Sequence, residues 1–146
     1  MKFVLICGLF FLMSCAHKEM GKLEFPKGEV QQVYVNKEAK WSPCPGTLPQ
    51  GCQMSVVEGS PAKPGFFTVR FKLDKGFKML EHFHSKEERV TVLSGKWGVS
   101  FKDKKVLFNK GDHYITARDI PHKVWAEESS VIQIIGIGPW SAKYTQ

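Results

Sequence analysis

At 146 residues, with 42% hydrophobic, 12% aromatic and 24% charged side chains, the chain has the composition of one ordinary globular domain and not of a disordered or fibrous one. A domain of this size buries about two thirds of the surface its unfolded chain exposes, so it needs no metal merely to stay folded. Twenty-one basic against fourteen acidic side chains leave a formal charge of +7, but no window gathers five or six lysines. The charge therefore reads as a solvated basic surface, and nucleic acid is not an expected partner.

Lys2 is followed by an uncharged run from Phe3 to Met13 rich in Leu, Phe, Val and Ile. Such a run is a signal-peptide core, too short for the ~20 residues that a membrane-spanning helix needs. It closes with Leu12-Met13-Ser14-Cys15, which resembles the lipobox of bacterial lipoproteins. That resemblance implies that residues 1–14 are removed and that Cys15 becomes the acylated first residue, tethering the chain to the cell envelope. Ala16 in place of Asp resembles the pattern sent to the outer membrane of a Gram-negative cell, facing the periplasm. Residues 15–28 are polar, with Gly21, Pro26 and Gly28, and read as a lipidated tether. Residues 29–146 are the domain.

Processing leaves two of the four cysteines, Cys44 and Cys52, in an oxidising compartment. They bracket Pro45-Gly46-Thr47-Leu48-Pro49-Gln50-Gly51, a turn-forming stretch that folds back easily, so a local disulfide is expected. A metal pair is the competing reading. Its weakness is a gap wider than the two to four residues usual between zinc cysteines.

From Glu29 onward apolar residues recur mostly with period two between Gly, Pro, Asp and Lys, which is strand punctuation. The clearest case is Phe67, Val69, Phe71 and Leu73 alternating with Thr68, Arg70 and Lys72. Further strands are expected near 30–35, 89–94, 97–101, 105–108, 112–116, 122–126 and 131–137. Many short strands and no long helix indicate an all-β sandwich or barrel.

His82 and His84 are two apart, so on a strand both imidazoles point to one face while Phe83 points away. Glu88 follows a polar turn and shares a face with Val90 and Val92 of the next strand. A slip of one residue would substitute Glu87 and turn both valines outward. Parity alone leaves a solvated histidine pair and a surface glutamate equally open.

The wider spacing decides between them. Gly76, His82, His84, Glu88 and Gly95 stand as G-x5-H-x-H-x3-E-x6-G, and Gly111 with His122 follows at the spacing of G-x5-P-x-G-x2-H-x3-N. Residues 64–138 resemble the cupin superfamily on these two motifs. The second is partial, because Ala117, Asp119 and Ala126 stand where the motif has Pro, Gly and Asn. Asp tolerates the left-handed conformation that a turn glycine adopts, so Asp119 weakens the match little. The phrases from Pro64 to Arg70, from Glu88 to Gly95 and from Gly136 to Trp140 resemble a group of small single-domain bacterial cupins.

The resemblance implies a double-stranded β-helix, or jelly-roll barrel, in which His82, His84, Glu88 and His122 converge on one divalent transition metal: Fe, Mn, Zn, Ni or Cu. It also implies a small-molecule ligand or substrate and, as a habit of the family, a homodimer. Gln133, the one polar side chain of Val131-Ile132-Gln133-Ile134-Ile135, is a candidate for binding substrate or for facing solvent. His113 fits neither motif and is expected on the surface. Trp97, Trp125, Phe71 and Phe101 are candidates for a cavity wall or for plain core. Three functions stay open: a metal-dependent enzyme of dioxygenase type, a non-catalytic binding module for a small molecule or a metal, and a structural role in the envelope.

Overall fold

A computed structural model describes Gly28 and residues 30–145. The signal segment, Cys15 and nearly all of the tether lie outside the described residues. A 3-10 turn at Asn36–Glu38 precedes eleven strands: β1 Ser42–Pro43, β2 Cys52–Gly59, β3 Gly65–Leu73, β4 Lys78–Phe83, β5 Glu88–Ser94, β6 Lys96–Phe101, β7 Lys104–Asn109, β8 His113–Thr116, β9 His122–Ala126, β10 Ser130–Gly138 and β11 Lys143–Tyr144. They form a six-stranded sheet in the order β1-β2-β3-β10-β5-β8 and a five-stranded sheet in the order β11-β4-β9-β6-β7, with every pairing antiparallel. Among the described residues no helix is long and apolar enough to cross a membrane.

Strand periodicity builds the core directly. Phe67, Val69, Phe71 and Leu73 of β3 are buried, and Ile132 and Ile134 of β10 and Val90 and Val92 of β5 continue the same inner face. Trp97 and Val99 of β6 and Val124 of β9 face them from the other sheet. Each such side chain contributes roughly 1.5–3 kcal/mol on leaving water, so the fold rests on apolar strands and not on the polar cluster described below.

The segment 30–35 is not a strand. Val30 and Val33 are 95% and 71% exposed, so their alternation finds no core to face, and the chain turns at Asn36 instead. Tyr34 pins this segment to β2 by donating its hydroxyl to Ser55 Oγ at 3.1 Å. Three strands, β1, β2 and β11, lay outside the expected set, and β4 was foreshadowed only by the parity of His82 and His84. β2 breaks its alternation at a register shift between Val56 and Glu58, and β11 is only two residues long.

Cys44 and Cys52 form a disulfide with Cα atoms 5.4 Å apart. The loop between them turns on a hydrogen bond from Leu48 N–H to the Pro45 carbonyl, and Tyr144 of β11 donates its hydroxyl to the Thr47 carbonyl at 3.3 Å. The stapled loop and the C-terminal strand are thus tied together over one end of the barrel.

Candidate metal centre

Two strands of the five-stranded sheet carry the histidines. His82 lies opposite His122 across β4 and β9, and His84 follows immediately after β4, with Phe83 between them turned away from the buried side. The register of β4 on β9 shifts between Met79 and His82, which leaves Leu80 76% exposed on the outside. Glu88 comes from the facing sheet, at the first position of β5, paired with Gly136 of β10 and Thr116 of β8. All four side chains are buried.

Each imidazole is held by the same device. Nδ1 of His82 is 2.8 Å from the Leu80 carbonyl, Nδ1 of His84 is 3.0 Å from the Ser141 carbonyl, and Nδ1 of His122 is 2.9 Å from the Ile120 carbonyl. A carbonyl oxygen only accepts, so every Nδ1 carries the proton and every Nε2 of a neutral ring presents a bare lone pair. Ligand atoms of the three rings lie within 4.8 Å of one another. Glu88 completes the set, with Oε2 3.5 Å from His84 Nε2 and Oε1 3.3 Å from His122 Nε2. His122 Nε2 is nonetheless buried without an aligned hydrogen bond.

The electrostatics follow from burial and from Glu88. Burial pushes His82 down to about 4, helped by the neighbouring His122 and His84. It also lowers His84, against the pull of the Glu88 charge. Burial would lower His122 too, but the adjoining Glu88 carboxylate outweighs it and holds that ring above the ordinary histidine value. Burial alone would raise Glu88. The hydrogen-bonding and charge of the surrounding histidines prevail and keep it below the ordinary carboxylate value. Near neutral pH the cluster thus holds lone pairs on His82 and His84 and a negative charge on Glu88.

This donor set fits a metal. Three imidazole nitrogens fixed by outer hydrogen bonds and one carboxylate suit a first-row divalent ion. The buried, unsatisfied His122 Nε2 is the atom that such an ion would satisfy.

The cluster opens on a cavity of about 310 Å³ inside the barrel. Its walls include Val69, Phe71, Leu73, Phe77, Trp97 and Ile132, and Pro45, Thr47 and Leu48 of the stapled loop close one end together with Trp140 and Ser141. Trp140 stacks on the His84 ring at 4.4 Å with an interplanar angle of 13°.

Residues 69–137 match the model of the cupin domain family, and they contain all four clustered side chains. That stretch is similar to a cupin domain. Solved structures with the same fold include an acetylacetone dioxygenase from Acinetobacter johnsonii (TM-score 0.65, 16% identity, 83% of each chain covered). A polyketide cyclase, RemF, from Streptomyces resistomycificus gives a TM-score of 0.64 at 14% identity over 80% of this chain and 87% of that one. KdgF from Halomonas sp. gives 0.59 at 22% identity over 71% and 92%. These likenesses concern the fold. No curated protein matches the chain in sequence.

The cupin fold separates the other candidates. Gln133 does not reach the cavity: its neighbours Ile132 and Ile134 line it, and strand parity turns Gln133 to the outer face, where its Oε1 accepts from Arg70 Nε at 2.9 Å. Glu87 is also outside, paired with Arg118 at 2.6 Å. His113 is exposed and bonds to Thr91. Phe71 and Trp97 line the cavity, whereas Trp125 lies over Gly98, and Phe101 packs beside His122 with ring centroids 5.8 Å apart. Asp119 takes φ 60° and its N–H donates to the His84 carbonyl at 2.7 Å, so the substituted motif position still anchors a histidine.

Several cavity residues escaped sequence reasoning, Trp140 and Tyr114 among them. Trp140 sits in a segment without periodicity. Tyr114 shares an inward face with Thr116 on a strand of four residues, a parity signal that the neighbouring His113 obscures.

Proposed function

We propose that this cupin domain binds one divalent transition metal through His82, His84, Glu88 and His122, and that it serves as a metal-dependent enzyme of dioxygenase type acting on a small molecule in the barrel. The observation that carries the reading is the orientation of the three rings. Each Nδ1–H is committed to a backbone carbonyl, which aims the bare Nε2 atoms at a common space beside Glu88. These four side chains would hold the ion, which would supply Lewis acidity or, if iron or manganese, a redox centre.

The chain's own residues do the rest. The three imidazoles and the carboxylate set a net charge of one negative around the site, the apolar walls exclude water, and the stapled loop covers the end. A non-catalytic binding role is favoured by one specific feature: the titratable side chains lining the cavity are the cluster itself and Tyr114, which leaves no separate carboxylate or imidazole as general base.

In this reading the chain is exported and tethered through Cys15. The Cys44–Cys52 disulfide supports an oxidising compartment. Cys15→Ser should release a soluble or unprocessed product on membrane fractionation, and a correctly processed variant that stays in the membrane would refute the anchor. The test of the metal reading is elemental analysis of protein purified without added metal, followed by an oxygen-uptake screen with that metal restored. One equivalent of metal with substrate-dependent uptake supports the enzyme. Metal-dependent ligand binding without turnover supports the module, and no metal at all overturns both.

A further inference from the structure

We infer that the cavity selects a small molecule with an apolar, aromatic-sized body and a single oxygen-bearing end, and that it rejects polyhydroxylated molecules. The inference deepens the metal reading at the polar end of the ligand, whereas the selectivity against hydroxyls rests on the walls alone.

The imidazoles and the carboxylate of the cavity are gathered at one place. The histidines and Glu88 form one end, and beyond them the surface is built by Met54, Val69, Phe71, Phe77, Ile132 and Ile134 and their neighbours, with no charged side chain among them. At about 310 Å³ the volume sits at the small end of the usual range for ligand sites. A hydroxyl carried against these side chains gives up its water and receives no hydrogen bond in return, a loss that for each unpaired group amounts to about tenfold or more in affinity. A flat apolar ring meets the opposite situation, because Phe71, Phe77 and Trp97 present apolar faces in the wall and demand no hydrogen bond from it.

Two wall residues add polar groups to that end: Trp140, stacked on His84, has a buried indole N–H without a partner among the described residues, and Tyr114 carries a hydroxyl. The Tyr114 hydroxyl accepts from Trp97 Nε1–H at 2.9 Å, and both residues line the cavity. That bond uses an acceptor site on the oxygen. The phenolic proton has no acceptor among the described residues, so Tyr114 offers the ligand one donor and rewards one acceptor oxygen. Burial and the nearby Glu88 charge raise the phenol well above its ordinary value, which keeps the proton in place at neutral pH. Tyr114 is therefore a specificity-determining residue, reading an oxygen at the polar end of an otherwise apolar molecule.

The test uses the full chain loaded with Co(II), with benzoate and shikimate as probes. Both carry one carboxylate on a six-membered ring, and shikimate differs by three hydroxyls and by a cyclohexene ring in place of the flat arene. Binding is followed by the fluorescence of the cavity tryptophans and, separately, by the visible absorption of the bound cobalt. Benzoate should saturate at a concentration at least about tenfold lower than shikimate. Tyr114→Phe should weaken benzoate about three- to tenfold without changing the cobalt spectrum of the unliganded protein. Met79→Gln, which places an amide on a half-buried wall position, should weaken benzoate and narrow the gap to shikimate. Equal or tighter binding of shikimate, or no saturable benzoate binding by a chain whose cobalt spectrum shows an intact site, would overturn the inference and leave the metal reading standing. If cobalt does not bind but benzoate is still preferred and still depends on Met79, the apolar selectivity holds and the metal reading falls.

Discussion

Glu88 Oε1 stands 3.3 Å from His122 Nε2, with both side chains buried and each on a different sheet of the barrel. His122 Nδ1 is already committed to the Ile120 carbonyl, so a neutral ring turns a bare lone pair toward a carboxylate oxygen. Two lone pairs at that distance repel unless a proton or a cation lies between them. The pair is therefore stable as an imidazolium with a carboxylate in the metal-free protein, or as two ligands of one ion.

Removing a ring tests the second state. His84→Ala or His122→Ala should lower metal content from about one to below about 0.1 per chain, since each removes one of the four ligands of the site. The barrel should persist, because its core is apolar, and far-ultraviolet circular dichroism should be unchanged. His113→Ala is the matched control and should keep its metal, since that ring is exposed and bonded to Thr91. Equal loss in the control would show the site to be misplaced.

Acid should act on the metal-free protein in a defined window. His82 is held at about 4 in the folded state against 6.5 when unfolded, so folding favours its neutral form. Above pH 6.5 that costs nothing. As pH falls from 6.5 to 4 the unfolded chain gains a proton that the folded chain refuses, and stability declines by on the order of 3 kcal/mol from this ring alone. His122, raised by Glu88, contributes in the opposite direction, being favoured as the charged form. Denaturant titrations from pH 7.5 to 4.5 should show the decline, and His82→Gln should flatten it. An unchanged slope in that variant would assign the acid sensitivity elsewhere.

The disulfide should be worth about 2.5 kcal/mol by loop entropy in the Cys44→Ser, Cys52→Ser double variant. Its larger effect should be on the cavity, because Pro45, Thr47 and Leu48 are wall residues only while the loop is held down. Acrylamide should quench tryptophan fluorescence more strongly in the double variant. Equal quenching would mean that the bond to Tyr144 alone secures the loop.

Gly95→Ala should be among the most damaging single changes outside the cluster. Gly95 has φ 77°, and a Cβ there would lie 2.3 Å from the Ser129 carbonyl oxygen, a backbone atom that cannot swing aside. Strain and overlap together should cost at least about 2 kcal/mol, read as a shift in the denaturation midpoint. A shift below about 0.5 kcal/mol would show that the β5–β6 turn adapts.

Period-two alternation determined the strand faces of β3, β5 and β9 and hence most of the core, because the side-chain period of a strand is a local property of its backbone. The motif spacing likewise determined that His82, His84, Glu88 and His122 belong together, and the Cys44–Cys52 pairing followed from a short, turn-rich loop. Local pattern could not say which alternating segments would find a partner. Residues 30–35 alternate and stay exposed, while Gln133 sits on the central strand with its outward face committed to Arg70. The Leu80 and Ile120 carbonyls reach His82 and His122 from two residues upstream, but only the tertiary fold brought the Ser141 carbonyl to His84 Nδ1, Trp140 onto His84, and Tyr114 to Trp97. Those contacts join residues up to 57 positions apart, from strands and loops whose meeting depends on the register of many ladders at once, and no spacing rule within one segment encodes it.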